Sequence, residues 1–239
     1  MRAIYSHAHR VAIYLGEEHD GSEILPRLFH RIYVAGDKFG TLEPGLKFPQ
    51  PKIISASKYE EFGLPPRNGP IWEVFRVFLK RPWFRRIWII QEAVVSNRGE
   101  VICGEWSLPW KLFTDIFQIA IVNNMGILGG TEDDDERAAA GRLLWFMTVL
   151  RPRDSLFKPQ WKLIHLLHRC RVASATDARD YIFGLLGLSS EANEDDLRPD
   201  YAHTLEQVYC RVAEYFVKHG DAISLLYNSG KTSNKLLPS

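Results

Sequence analysis

Two short apolar runs, each closed by a glycine and followed by a helical pattern, most constrain the fold of this chain. The first covers residues 10–16 and ends at Gly16, and the second covers residues 100–103 and is followed by Gly104. Short apolar runs bounded by turn residues are typical of buried strands. A strand followed by a helix, twice over, predicts an α/β layered fold. Two strands are too few for a stable parallel sheet, so either further strands escape the pattern or the chain has lost some.

Helical patterns fill most of the remaining sequence, with apolar residues recurring three and four positions apart. One helix is predicted to end near residue 8, and a second to run from a cap at Ser22 to a stop at Gly36. Residues 71–95 are predicted to be helical with an interruption near Pro82, and another helix is predicted to begin at Ser107. Three more are predicted at about 138–150, 160–170 and 178–187. The best-marked helix follows Thr204, which forms a capping-box signature with Gln207, and Gly220 ends it. The chain is therefore predicted to be α/β and helix-rich.

Residues 36–70 interrupt this pattern. They contain five glycines and six prolines, which disfavour both helix and strand interiors. Irregular connections of that length are unusual inside compact domains and often form lids or insertions. The sequence predicts one long irregular excursion here.

Composition excludes several classes of protein. Thirty basic residues face 29 acidic ones, so the net charge of +1 gives no electrostatic footprint for nucleic acid or an anionic membrane. The three cysteines form no Cys-x-x-Cys pair, and the N-terminal residues lack the pattern of a signal peptide. The longest apolar runs, such as 87–90, are far shorter than a membrane span. We expect a soluble, cytoplasmic protein with neither nucleic acid nor a membrane as partner.

Candidate metal ligands are few. His165, His168 and Cys170 share a helical segment but lack a fourth ligand, and the acidic run at 132–136 lacks the glycine and final glutamate of a calcium loop. Asp180 and the polar residues just before it are explained as helix caps. No metal site is predicted.

The most distinctive segment is 81–92, with the sequence Arg-Pro-Trp-Phe-Arg-Arg-Ile-Trp-Ile-Ile-Gln-Glu. On a continuous helix, residues four apart stack on one face, which predicts that Arg81, Arg85, Trp88 and Glu92 lie close to one line. That spacing permits a preorganised carboxylate in a cleft. The helix pattern alone favours an ordinary amphipathic helix whose tryptophan is core and whose charges pair on the surface.

This segment resembles the signature of fungal heterokaryon incompatibility (HET) domains: Arg-Pro-Trp-Phe, a variable residue, Arg, another variable residue, Trp-Val, and then Gln-Glu. Three more segments resemble the family's motifs in the same order. Residues 4–17 are similar to Y-x-x-A … V-x-V-W-L-G, residues 175–187 to ATDPRDKVYALLGL with Ala178 in place of the usual proline, and residues 199–209 to PDYS … VY. The four segments together cover most of residues 4–217.

The resemblance also predicts what surrounds these segments. Two N-terminal motifs of the family, similar to LSYVWG and WIDAICINQ, would precede residue 1, which would explain the shortage of strands. Residues 236–239 resemble the start of an LPSWVPDW segment. We therefore expect a partial HET domain over residues 1–190 and a truncated, helical C-terminal extension over residues 191–239.

The family resemblance further implies a chemistry. HET domains are regarded as distant relatives of TIR domains, which have a flavodoxin-like α/β core, and Trp88 and Glu92 have the Trp-x-x-x-Glu spacing of TIR domains that cleave NAD. By this resemblance Glu92 is the catalytic carboxylate, Trp88 walls the pocket, and Arg81 or Arg85 meets phosphates. A fixed anion would favour the oxocarbenium-like transition state, with NAD as substrate and no cofactor. This chain alone is predicted not to turn over NAD, because the N-terminal strands would complete the pocket.

Three functions remain open at this point. The first is a cell-death effector of non-self recognition, acting through NAD cleavage. The second is a non-enzymatic module that associates with itself or with another incompatibility protein through aromatic helical faces around Trp83, Trp88, Trp106 and Trp110. The third is an inert gene remnant.

Overall fold

The structure is a computed structural model that describes residues 2–38, 54–67, 69–125, 135–150 and 161–228. Helices and strands follow in the order α1 (Arg2–His7), β1 (Val11–Tyr14), α2 (Leu25–Lys38), α3 (Ala56–Glu61), α4 (Pro70–Leu79), α5 (Ile89–Val95), β2 (Gly99–Cys103), β3 (Trp106–Pro109), α6 (Trp110–Val122), α7 (Asp135–Leu150), α8 (Leu163–Cys170), α9 (Asp180–Leu186), α10 (Leu205–Lys218) and α11 (Ala222–Asn228). Short 3-10 turns occupy Ser22–Ile24, Pro82–Arg85 and Asp195–Leu197.

The strands form one mixed sheet in the order β1-β2-β3. β1 runs parallel to β2, with Val11 opposite Gly99, and β2 pairs antiparallel with β3. Both apolar runs are therefore strands, as predicted. In β1 the residues alternate between buried and exposed, so helices cover only one face of the sheet there.

The third strand explains one wrong prediction. The helix expected to begin at Ser107 begins at Trp110, because Ser107 lies in β3 and pairs with Ile102. Only Gly104 and Glu105 connect the paired residues of β2 and β3, and Gly104 has a φ of 53°. Glycine is favoured at the first position of such two-residue turns because it adopts positive φ without strain.

The helical line through Arg81, Arg85, Trp88 and Glu92 is also wrong. Helix α4 ends at Leu79, a 3-10 turn covers Pro82–Arg85, and α5 begins only at Ile89. Proline cannot donate the backbone hydrogen bond that a helix interior needs, and Arg86 is extended with a ψ of 134°. Consequently the four side chains do not share one helix face.

Residues 36–70 contain more helix than the sequence predicted, although residues 62–67 are irregular as expected. Helix α2 continues past Gly36 to Lys38, and α3 occupies Ala56–Glu61. Gly36 does not end α2; instead it permits close packing, since a Cβ there would lie 2.3 Å from Ile119 Cδ1 in α6. Residues 39–53 lie outside the described residues, as do most of the acidic run at 132–136 and the end of the chain from 229.

Two predicted helix caps have different outcomes. The capping box of Thr204 and Gln207 is confirmed, with both reciprocal hydrogen bonds present. The cap at Ser22 is wrong, because Ser22 starts a 3-10 turn and its Oγ accepts hydrogen bonds from the backbone N–H of His19 and from Arg81.

One core of buried apolar side chains extends from Val11 to Phe216, on both sides of the boundary predicted at residue 190. Its centre is aromatic: Phe113 lies between 5.7 and 6.4 Å, centroid to centroid, from Phe29, Phe78, Phe84 and Trp110. None of the helices in the described ranges has the length and apolar content needed to cross a membrane.

The α/β, helix-rich prediction is thus confirmed. A flavodoxin-like core would be a doubly wound parallel sheet, whereas the described sheet is mixed and small. That finer part of the fold prediction stays a prediction.

Candidate functional site

The segment from Arg85 to Glu92 is anchored to the loop before α9. Arg86 forms a parallel bridge with Ser174, in which the N–H of Ile87 donates to the Ser174 carbonyl oxygen at 2.9 Å. This bridge fixes the start of α5, so Trp88 lies at its N-terminal end and Glu92 in its first turn.

Glu92 is half-buried and held by a tyrosine from α1. The hydroxyl of Tyr5 donates to Glu92 Oε1 at 3.1 Å. Burial, and next the charge of Glu92, raises the pKa of Tyr5 to about 12, with Arg86 opposing the shift. The carboxylate predicted to be catalytic is therefore fixed in orientation by a partner in the first motif segment.

Trp88 belongs to a separate network centred on Asp180. Its indole Nε1 donates to Asp180 Oδ2 at 3.0 Å, and the hydroxyl of Tyr201 donates to Asp180 Oδ1 at 2.6 Å. Burial, reinforced by this hydrogen bond, raises the pKa of Tyr201 to about 12. One carboxylate thus orients two aromatic side chains from different motif segments.

Arg179 fixes the segment that carries Tyr201. Its Nη1 donates to the carbonyl oxygens of Tyr201 and His203 at 2.8 and 2.9 Å, and its guanidinium lies 5.1 Å from the centre of the Tyr201 ring. Asp177 pairs with Arg179 in turn, and this ion pair lowers the pKa of the Asp177 carboxyl. The third and fourth motif segments are therefore joined by side chains of the motifs themselves.

A cleft of about 760 Å³ opens at this junction, between α1, α5, α9 and the loop that leads to α10. Pockets of about 300–1,000 Å³ are the usual size for small-molecule sites. Trp88, Phe183 and Tyr201 supply aromatic walls, and Gln91, Gly187 and Arg2 also line the cleft. Glu92 is not among its described lining residues and lies on the adjacent side of α5.

The two arginines of the predicted site have different places. Arg81 is only 5% exposed, and its guanidinium donates to the carbonyl oxygens of Leu15 and Glu17, to Ser22 Oγ and to Cys103 Sγ at 2.8 to 3.1 Å. With both Nη groups donating to buried atoms, this guanidinium supports the end of β1 and is not placed to meet a phosphate. Arg85 is half-buried, and its carbonyl oxygen accepts from the N–H of Ser174.

The structure therefore separates the four predicted residues. It brings Trp88 to the cleft, places Glu92 beside it and assigns Arg81 to the core. Sequence reasoning missed Asp180, which it explained as a cap, and also Tyr201 and Arg2. The signal for Asp180 and Tyr201 was their membership of motif segments, whereas nothing in the sequence indicates that the two side chains meet.

No cluster of three or more metal-ligating side chains occurs within the described part of the chain. His165 is exposed, whereas Cys170 is buried, and burial raises the pKa of its thiol. Those two positions do not make a common metal site.

The pKa of Tyr5 gives a testable pH dependence. The folded-state pKa is raised above the ordinary value of about 10, so the folded state favours the neutral phenol. The resulting stabilisation is complete below pH 10 and is lost as pH rises towards 12. We expect the difference in unfolding free energy between the wild-type chain and Tyr5→Phe to shrink over that range in urea titrations.

Tyr33→Phe, at an exposed tyrosine of α2, is the control for Tyr5→Phe. A pH profile of Tyr5→Phe that runs parallel to the wild-type profile from pH 9 to 11.5 would contradict the assignment.

Comparison with known proteins agrees with these motif segments. Residues 1–92 match the family described as heterokaryon incompatibility protein (HET), and this part contains the first two segments. The chain is also 26% identical, over 91% of its length, to the Heterokaryon incompatibility protein 6, OR allele, of Neurospora crassa, and it spans 35% of that protein. No solved structure matches. The signature, the order of the segments and both comparisons therefore agree that the chain is similar to heterokaryon incompatibility proteins, with the family match in residues 1–92.

Proposed function

We propose that this chain is part of an effector of fungal non-self recognition that causes cell death, and that in a longer form it cleaves the glycosidic bond of NAD. The observation that carries the proposal is the position of residues 88–92. Trp88 walls a cleft of ligand size, and Glu92 follows one helical turn later with its carboxylate oriented by Tyr5.

The chemistry assigned to Glu92 is electrostatic. Breaking a bond between a ribose and a cationic leaving group develops positive charge on the sugar, and a preorganised carboxylate stabilises that charge. The hydrogen bond from Tyr5 holds Glu92 Oε1 at a defined position, which reduces the reorganisation needed in the transition state. Arg81 has no part in this proposal, because it is buried and both of its Nη groups donate to atoms of the core.

The test uses a longer incompatibility protein that contains this chain, expressed in a fungus with its incompatible partner. We expect the wild-type protein to arrest growth and deplete NAD, and Glu92→Gln to abolish both effects, because the amide keeps the shape of the side chain without its charge. Glu105→Gln, at an exposed glutamate, is the matched control and should behave as wild type. Growth arrest with NAD depletion in the Glu92→Gln strain would eliminate Glu92 as the catalytic group.

A second candidate is a non-enzymatic module that acts by self-association. It is favoured by the outer side of α11, where Ile223, Leu226 and Tyr227 are 83%, 74% and 85% exposed. Clustered exposed apolar side chains are typical of protein interfaces. Self-association is supported if the Glu92→Gln strain still dies while its NAD level is unchanged. It is supported further if serine at these three positions restores growth.

A further inference from the structure

The cleft beside Trp88 has rigid aromatic walls. Asp180 accepts hydrogen bonds from both Trp88 and Tyr201, and Phe183 packs edge-on against Tyr201 with ring centroids 5.0 Å apart. Arg179 holds the backbone of the Tyr201 segment. Rings that are fixed before a ligand arrives lose little freedom on binding, and this arrangement suits a flat aromatic guest.

The floor of the cleft carries a buried amide with one unused acceptor. Gln91 is 2% exposed, and its Nε2 donates to the Gly184 carbonyl oxygen at 2.8 Å. Its Oε1 is buried and has no hydrogen-bond partner among the described residues. Buried polar atoms are nearly always paired, so an unpaired carbonyl oxygen beside a cleft indicates a donor supplied from outside.

Gly187 leaves room for that donor. A Cβ at this position would lie 3.2 Å from Gln91 Nε2 and 3.4 Å from Gln91 Oε1. Any side chain at 187 would therefore occupy the space above the amide. Glycine keeps a side chain out of that position, so an N–H group of a ligand in the cleft would approach Gln91 there.

The ionisable side chains that line the cleft are basic apart from Tyr201, although the Asp180 carboxylate contacts two of its aromatic walls. Apart from Tyr201, its ionisable lining residues are Arg2 and His7, both from α1, and no acidic residue is among the described lining residues. An arginine guanidinium is always protonated and offers several donors in one plane, which suits phosphate or carboxylate. The ring site and the basic site lie at the same cleft.

From these contacts we propose that the cleft binds a flat heteroaromatic ring carrying an N–H donor and a linked anionic group, the chemistry of a purine nucleotide. The ring stacks against Trp88 and Tyr201, its N–H meets Gln91 Oε1, and Arg2 binds the anion. Nucleotide binding at this cleft deepens the proposed function. It depends on that function only if the nucleotide that binds is also the substrate that is cleaved.

The experiment titrates the full 239-residue chain with adenosine monophosphate (AMP), which has no nicotinamide–ribose bond and so reports binding without turnover. Calorimetry and tryptophan fluorescence should show saturable binding of AMP, weaker binding of adenosine and none of inorganic phosphate. Removing a stacking ring by Trp88→Leu should weaken AMP binding by about tenfold or more. Arg2→Gln should weaken AMP binding and leave adenosine binding unchanged.

Matched controls separate the site from general effects. Tyr14→Phe and Arg27→Gln alter exposed residues elsewhere and should bind AMP as the wild-type chain does. Circular dichroism checks whether Trp88→Leu is folded. If that variant unfolds, AMP binding at the cleft is tested instead with Arg2→Gln and Tyr201→Phe, which change exposed or half-buried side chains. Tyr201→Phe removes only the hydrogen bond to Asp180 and should weaken AMP binding while the chain stays folded.

Two results would overturn the inference: no AMP binding to the folded chain, or AMP binding that Arg2→Gln and Tyr201→Phe leave unchanged. If inorganic phosphate bound as tightly as AMP, the proposed stacking of the ligand's ring on Trp88 and Tyr201 would be overturned. Glu92 has no part in the proposed AMP binding, so the two tests are independent. If the chain does not bind AMP, the Glu92→Gln test of NAD cleavage still applies. If NAD is not cleaved, the AMP titration still tests the cleft.

Discussion

Replacing Arg81 with methionine is expected to lower the free energy of unfolding by about 3–5 kcal/mol. The side chain is 5% exposed, and it supplies the hydrogen-bond donors for two backbone carbonyl oxygens and for Ser22 Oγ. Methionine fills similar volume without donors, so these acceptors remain buried and unpaired. Urea unfolding of the two chains, followed by circular dichroism, measures the difference.

Two further variants make the Arg81 result specific. Lysine at 81 keeps the positive charge, but its single ammonium group cannot contact all the acceptors that the two Nη groups reach. Arg81→Lys should therefore lose part of the same free energy of unfolding. Arg27→Met, at an exposed arginine of α2, should stay within about 0.5 kcal/mol of wild type. If Arg81→Met were as stable as Arg27→Met, the guanidinium would not hold the end of β1, and Arg81 would again be available as a ligand-binding residue.

Replacing Phe113 with alanine is expected to lower the free energy of unfolding by about 3–5 kcal/mol, because it opens a cavity in the aromatic core. Phe113 is fully buried and contacts aromatic rings from α2, α4, the 3-10 turn at Pro82–Arg85 and α6. Phe113→Leu retains most of the volume and should lose clearly less. The free energies of unfolding in urea give the comparison.

The control for Phe113→Ala is Tyr227→Ala, which truncates an aromatic side chain that is 85% exposed. Equal stability losses for Phe113→Ala and Tyr227→Ala would contradict the assignment of Phe113 to the centre of the core.

The sequence predicted best where a local rule decides the structure. The apolar runs that became β1 and β2, and the capping box at Thr204, depend on neighbouring residues and were correct. Strand β3 was missed because its pairing with β2 competes with an equally plausible helical start at Ser107. The interruption near Pro82 was predicted correctly, but its length was not: α4 ends at Leu79 and α5 begins only at Ile89.

The candidate site was predictable only in part, for a physical reason. Helical spacing placed Trp88 and Glu92 close together, and both lie at α5 in the structure. The roles of Arg81 and Asp180 depend on partners 21 to 92 positions away in the chain, which helical spacing cannot reveal. Arg81 or Arg85 was expected at phosphates from the family resemblance, whereas the four atoms that accept from Arg81 are two backbone carbonyl oxygens, Ser22 Oγ and Cys103 Sγ.

The central claim is that Glu92, oriented by Tyr5 beside the Trp88 cleft, is the catalytic carboxylate of a longer incompatibility protein. The most direct measurement is nicotinamide release from NAD by that purified longer protein and by its Glu92→Gln and Glu105→Gln variants. We expect nicotinamide release by the wild-type protein and by Glu105→Gln, and a rate lower by about a hundredfold or more in Glu92→Gln. Nicotinamide release at the wild-type rate by the Glu92→Gln variant would contradict it.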